Sequence, residues 1–241
     1  MNPLLTPTSW NPLGAALQAY RAGREDAIIM VDNSVQENEE LEVAYFFRDP
    51  TQPSHMEKEL LSRCKNRVLD IGAGAGVHAL FLQNKGKQVT ALDVSPEAVE
   101  IMREQGVEDA HCADVFEWEG GPYDSLLMLM NGIGIVGTLE RLRTFLEKAK
   151  TLLAPYGSIL LESTDIIYAY TAHDGSITFP GDRYYGEIEY KMTFDGKAGD
   201  PFPWLYVDPG TLALYAEEAG FSCEIIHLAE EYNYTAELRK V

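Results

Sequence analysis

Three aspartates and one run of glycines are the residues whose types and spacing could do chemistry in this chain. Residues 68–77 read VLDIGAGAGV, so an apolar run carries Asp70 into Gly72, Ala73, Gly74 and Gly76. A strand that enters glycines and reopens as a helix presents bare backbone N–H groups at a helix N-terminus, where nucleotide-like ligands are cradled. Asp93 closes the next apolar run, about 20 residues past the first glycine, where a carboxylate takes both hydroxyls of a ribose. Asp114 follows a third run, within EDAHCADV, and offers its carboxylate to an adenine amino group while the Val115 N–H meets a ring nitrogen. Dinucleotides, mononucleotides and S-adenosylmethionine all use such turns, and other residues must choose among them.

A dinucleotide fingerprint, G-x-G-x-x-G, needs its third glycine where this chain has Val77. Asp70 sharpens the choice. A carboxylate just before the glycines would repel a pyrophosphate on the helix N-terminus, yet it suits a ligand with an ammonium group, as the amino-acid end of S-adenosylmethionine has. Gly76 serves either the ligand or helix packing. His78, early in the following helix, reads as a packing or rim residue.

These residues need a scaffold that lines them up. From residue 67 strand and helix patterns alternate: RVLDI, VHALFLQN, KQVTALDV, then SPEAVEIMREQG with Ser95 as N-cap and Pro96 at the first helical position. YDSLLMLMN reads as a buried strand, GTLERLRTFLEKAKTLLAPYG as a helix with a Pro–x–Gly stop, and SILLEST as a fifth strand. The expected fold class is α/β: a doubly wound, mostly parallel seven-stranded sheet whose last strand is antiparallel. Residues 67–165 form the cofactor-binding core, and 208–241 supply a terminal helix and strand pair. Residues 1–66 read as an N-terminal helical cap, with helical patterns over 11–30 and in SHMEKELLSRCK. Residues 166–207 break the rhythm with Tyr, Phe, Pro and Gly, and GEIEYKMTF alternates as an inserted β-hairpin strand with Ile188, Tyr190, Met192 and Phe194 on one face. The whole, 1–241, is expected to be a single domain.

The 38 acidic residues against 19 basic give a net charge of −19, which argues against nucleic acid as partner. No apolar run approaches the roughly 20 residues of a membrane span. Three widely spaced cysteines without CxxC pairing argue for a reducing compartment, hence a cytoplasmic protein, and against a disulfide framework or metal site.

VLDIGAGAGVHAL, ALDVSPEAVE, CADVFEW and MLMNGIGIVGTLERL through SILLESTD together resemble the successive motifs of the class I, Rossmann-like S-adenosylmethionine-dependent methyltransferases. The resemblance covers about residues 66–165 and implies S-adenosyl-L-methionine as cofactor. It implies that Asp70, Gly72, Ala73 and Gly74 line the methionine and sulfonium end, and that Asp93 holds the ribose with Val94 on the adenine. Asp114 and Val115 would read the adenine edge, and Asn131 would meet the amino group. Tyr45 and Arg48 are candidates for the cofactor's carboxylate from the cap. Methyl transfer from a sulfonium is an in-line displacement with a neutral leaving group, so positioning and water exclusion are the main tasks. Asp165 and His173 are the candidates should the acceptor need a base.

The Pro-Pro-aromatic run of enzymes that methylate base amino groups is missing after Asn131, which points to a small-molecule acceptor. Tyr168, Tyr170, Tyr184, Tyr185, Trp204 and Tyr206, with AYFFRDP, could wall its pocket or cradle a cationic acceptor; packing of the hairpin or of a homodimer is their other use. Two alternatives stay open: a protein that binds S-adenosylmethionine without turnover, and an NAD-dependent oxidoreductase.

Overall fold

The structure is a computed structural model describing residues 8–35, 39–181, 183–229 and 232–241. The chain begins with α1 (Asn11–Arg21), β1 (Ile28–Asn33), β2 (Glu39–Glu42), a 3-10 turn over Val43–Phe47 and α2 (His55–Arg63). Then come β3 (Arg67–Ile71), α3 (Val77–Asn84), β4 (Gln88–Asp93), α4 (Pro96–Glu104), β5 (Ala110–Cys112), β6 (Tyr123–Met128), α5 (Leu139–Leu152) and β7 (Leu153–Thr164). After these come β8 (Glu187–Phe194), β9 (Lys197–Ala198), β10 (Phe202–Leu205), α6 (Pro209–Glu218), β11 (Phe221–Leu228) and β12 (Asn233–Lys240).

Seven of these strands form the expected sheet, in the order β11-β12-β7-β6-β3-β4-β5. The β7–β6, β6–β3, β3–β4 and β4–β5 pairs are parallel, and β12 runs antiparallel to both its neighbours. The central strands read as continuous apolar runs because both faces are covered. Leu69, Leu126 and Ile159 pack with α5 and α6 on one side, while Val68, Leu127 and Leu160 pack with α2, α3 and α4 on the other. Ser95 caps α4 as read, its hydroxyl accepting the Ala98 N–H at 3.2 Å. Parallel order leaves the carboxyl ends of β3, β4, β5 and β6 on one edge, where such sheets bind ligands.

The N-terminal region departs from the expected helical cap. The helix over 11–30 stops at Arg21; Ala22 closes it, Gly23 takes φ 103°, and the chain re-emerges as β1. Nor does the inserted hairpin stand alone. β8 pairs with β10, β9 and β1, and β1 pairs with β2, giving a second, antiparallel sheet of five strands. Cap and insert are therefore one structure, with Ile29 and Val31 of β1 and Met192 and Phe194 of β8 sharing a core with Leu13 and Leu17 of α1. The alternation over 187–194 holds: Ile188, Met192 and Phe194 are buried and Tyr190 partly so.

Candidate functional site

The turn after β3 is shaped by backbone that side chains would spoil. Gly72 and Gly74 take φ 72° and 56°, in the left-handed region. A Cβ on Gly72 would collide with the Ile135 side chain, and one on Gly74 would stand 3.2 Å from the Phe46 ring. Gly72 and Ala73 both donate to the Leu92 carbonyl at 2.9 Å, which fastens the turn to β4. Asp93 completes it, since its two carboxylate oxygens accept the N–H groups of Gly74 and Ser95, each at 2.9 Å. Each oxygen keeps a second lone pair for a ligand hydroxyl. Burial pushes the Asp93 carboxyl up to about 6 against those two bonds. Gly76 resolves as a packing glycine: at φ 87° its Cβ would lie 2.8 Å from Val107 and 2.9 Å from Met102, and it does not line the cavity.

That cavity, about 430 Å3, lies between the carboxyl edge of the large sheet and the inner face of the small one. Asp70, Gly72, Ala73, Gly74, Asp93 and Val94 line its floor, and Asp114, Val115 and Asn131 continue it. Asp70 is 2 % exposed, and its Oδ2 is buried with no hydrogen-bond partner among the described residues. Burial drives its carboxyl up to about 6; His78 pulls the other way, and Asp93 adds to the rise. An orphaned carboxylate oxygen at this depth calls for a cationic donor. Asp114 accepts the Phe116 N–H at 3.0 Å. Asn131 adopts φ 53°, and its Oδ1 accepts the Thr164 hydroxyl at 2.8 Å, so its position is fixed from β7.

The cap brings two further candidates, and they differ. Tyr45 lines the cavity; Arg48 stands behind it, its guanidinium 4.1 Å from the Tyr45 ring centroid. Arg48 is ion-paired with Glu57 and lies 3.1 Å from the His78 Nε2. His78, read as a packing or rim residue, is buried, lines the cavity, and sits 2.9 Å from Glu57. Burial would raise the Glu57 carboxyl, but the hydrogen bond and charge of His78, a backbone donor at Ser54 and Arg48 together hold it at about 2.

Asp165 and His173 are not among the cavity-lining residues. Asp165 caps the 3-10 turn Ile166–Tyr170, accepting the Ile167 N–H at 3.0 Å and the Tyr185 hydroxyl at 2.6 Å, and His173 is exposed on the following loop. Of the insert's aromatics, Trp204 and Tyr206 line the cavity. Tyr168, Tyr170, Tyr184 and Tyr185 do not; the Tyr184 hydroxyl donates to Asp208 at 2.6 Å and Tyr170 to the Tyr185 carbonyl at 2.9 Å.

Sequence reasoning passed over Glu162, Tyr190, Glu39 and Trp10, which all line the cavity. Glu162 ends the buried run of β7 and accepts the Met130 N–H at 3.1 Å, and burial raises its carboxyl. A lone acid closing an apolar strand is the signal that could have found it. Tyr190 was legible only as a member of an apolar face.

Among the described residues no group of His, Cys, Asp and Glu could hold a metal, and no helix is long and apolar enough to cross a membrane. Against known proteins, a family profile described as "Methyltransferase domain" matches residues 68–157. An S-adenosylmethionine-dependent methyltransferase from Bacteroides fragilis, solved with S-adenosyl-L-homocysteine, is 39% identical with a TM-score of 0.90, over 98% of both chains. An uncharacterized methyltransferase of Staphylococcus carnosus is 39% identical over 64 residues, 27% of this chain and 31% of that one. A ubiquinone biosynthesis O-methyltransferase of Xanthomonas oryzae pv. oryzae is 43% identical over 44 residues, 18% of each chain. The match thus spans under a third of these two curated relatives' length.

Proposed function

This chain belongs to the S-adenosylmethionine-dependent methyltransferases, and from that premise we propose that it methylates a small-molecule acceptor in the cavity between its two sheets. Bound S-adenosylmethionine supplies an electrophilic methyl group on a sulfonium, displaced in line with a neutral thioether leaving. The chain's part is to hold, orient and keep dry. Asp70 takes the ammonium group and Asn131 helps to fix it. Gly72, Ala73 and Gly74 give the close backbone approach that a Cβ would block. Asp93 accepts the ribose hydroxyls, Val94 packs on the adenine, and Asp114 with the Val115 N–H reads its edge. Tyr45 covers the methionine end, and Arg48, ion-paired with Glu57 and 4.1 Å from the Tyr45 ring centroid, supports it from behind without lining the cavity.

The observation that carries this assignment is the buried, unpartnered Oδ2 of Asp70 at the base of the glycine turn. A pyrophosphate there would meet a like charge; an ammonium satisfies it. Nothing in the comparisons supports the oxidoreductase alternative, and the relatives named as methyltransferases favour turnover over mere binding. Asp165 and His173 drop out as bases in this reading because the cavity does not include them. Cavity-facing Trp204 and Tyr206 favour the pocket-wall use of the insert over a homodimer. Three unpaired cysteines support a reducing compartment, the cytoplasm.

Calorimetric titration with S-adenosylhomocysteine, with NAD in parallel and both repeated on Asp93→Ala, tests the proposal. Micromolar binding of the first alone, lost in the variant, is expected. Tight NAD binding with no response to S-adenosylhomocysteine would overturn it.

A further inference from the structure

We infer that the methyl acceptor is a small amine, recognised as its ammonium form at the aromatic end of the cavity and methylated on nitrogen. The inference rests on the methyltransferase reading above and adds the acceptor's chemical class.

The two ends of the cavity differ in kind. Beyond the glycine turn, Tyr190 and Met192 of β8, Phe202 and Trp204 of β10, Tyr206, and Trp10 ahead of α1 make the wall. Register explains the clustering, because Phe202 stands directly across from Tyr190 on adjacent strands. Ring centroids lie 4.7 Å apart for Trp10 and Phe202, 5.9 Å for Tyr190 and Trp204, and 6.3 Å for Tyr190 and Tyr206. The Tyr190 and Tyr206 hydroxyls are 2.6 Å apart, and burial pushes both phenols upward, so the pair stays neutral. Among the described residues lining the cavity, the carboxylate on this side is Glu39, whose charge acts on Tyr190 and Tyr206. Glu162 lies deeper, at the end of β7 beside Met130 and toward Tyr45 and His78.

Equally telling is which charge is missing. No Lys or Arg lines any part of the cavity among the described residues, and residues 1–7, 36–38, 182 and 230–231 contain neither type. An acceptor bearing a carboxylate or phosphate would therefore enter among ring faces and acids with no counter-charge. A cation gains twice, from the negative faces of the rings and from the carboxylates. A neutral alcohol can donate one hydrogen bond to a carboxylate but brings no charge to the ring faces or to the acids.

An ammonium has no lone pair, so it must give up one proton first. Glu162 is the carboxylate placed for this: it lines the cavity, and the Met130 N–H bonded to one of its oxygens fixes its position. With the proton on Glu162, the nitrogen pair forms the N–C bond while the C–S pair returns to sulfur. The positive charge passes from sulfonium to the methylated nitrogen, and Glu162 returns its proton to water.

The test uses the full chain saturated with S-adenosylhomocysteine, titrated by calorimetry with benzylamine, benzyl alcohol and benzoate, which share a ring and differ in head-group charge. Protonated benzylamine is expected to bind about tenfold more tightly than the alcohol, with benzoate weaker still. Glu39→Gln should shrink that preference while S-adenosylhomocysteine affinity, the check on folding, stays within about twofold, and Glu162→Gln should shrink it as well. Equal or better binding of the alcohol or benzoate, or no amine binding at millimolar concentration, overturns the amine class. Failure of S-adenosylhomocysteine itself to bind would instead strike the methyltransferase reading, so the two failures are distinguishable.

Discussion

An unpaired carboxylate oxygen buried beside a glycine turn is stable either protonated or compensated by a cation. Burial raises the Asp70 carboxyl to about 6, where pH and ligand decide between the two. Its folded pKa, about 6, lies above the ordinary 3.8, so ionisation costs the ligand-free protein stability as pH rises through about 6. A ligand carrying an ammonium group favours the ionised form. S-adenosylhomocysteine affinity should therefore fall as pH drops below about 6, by about tenfold per unit from Asp70 alone. Calorimetry across pH 5 to 8, in buffers of different ionisation enthalpy, should show proton release on binding at the acid end. Asp70→Asn should make the profile shallower, leaving the step of Asp93, whose carboxyl burial also raises to about 6, and should weaken binding at pH 8 by roughly 10- to 100-fold. Glu57 behaves oppositely: held at about 2 against an ordinary 4.5, its contribution is complete above 4.5 and is lost only as pH falls toward 2, so it adds nothing to the 5 to 8 window that Asp70 and Asp93 share. Its removal is a stability experiment. Glu57→Ala strips the partner from Arg48 and His78 and the reciprocal bond from the α2 capping box, and should cost about 3 kcal/mol by urea unfolding. The acids at the ends of β3 and β4 were legible because the turn they serve is adjacent in sequence. Glu162 and Tyr190 were not, because what they face is decided by strands far away along the chain.

At the scale of elements, the glycines of one turn divide by neighbour rather than by motif. Gly72 and Gly74 face ligand space and the residues that roof it; Gly76 faces Met102 and Val107, where α3 comes close to α4. Gly76→Ala combines a left-handed φ with a Cβ inside contact distance and should cost about 2 kcal/mol, seen as a Tm lower by about 4–8 °C. S-adenosylhomocysteine affinity should stay within about threefold, because Gly76 touches no part of the cavity. A large loss of affinity with little loss of Tm would return Gly76 to the ligand. Periodicity located the large sheet because each of its strands carries a full apolar run between helical patterns. It missed β1, where only Ile29 and Val31 are buried and the run IIM also fits the tail of the preceding helix. Two inward residues are too few to distinguish a period of 2 from one of 3.6, and β1 exists because β8 pairs with it. The readable sign was Gly23, the stop after Arg21.

For the whole molecule, the consequence is that the cavity is jointly owned. The large sheet supplies its floor and the small sheet its roof, and the small sheet is itself assembled from residues 28–42 and 187–205. An N-terminal cap that merely rested on the core could melt on its own. This one cannot leave without exposing an edge of β8 and opening the core shared by α1, β1 and β8. Heating the ligand-free chain should therefore give one cooperative transition, with calorimetric and van't Hoff enthalpies agreeing. S-adenosylhomocysteine at 100 times its Kd should raise stability by about 2.7 kcal/mol, moving that transition up by roughly 5–10 °C without splitting it. If the small sheet were an accessory, two transitions would appear and the ligand would shift only the later one. Deleting residues 1–66 discriminates further. A separable cap would leave a folded remnant that still binds, whereas a shared sheet leaves β8 half-paired and a chain that aggregates at concentrations where the full-length protein stays monodisperse by light scattering.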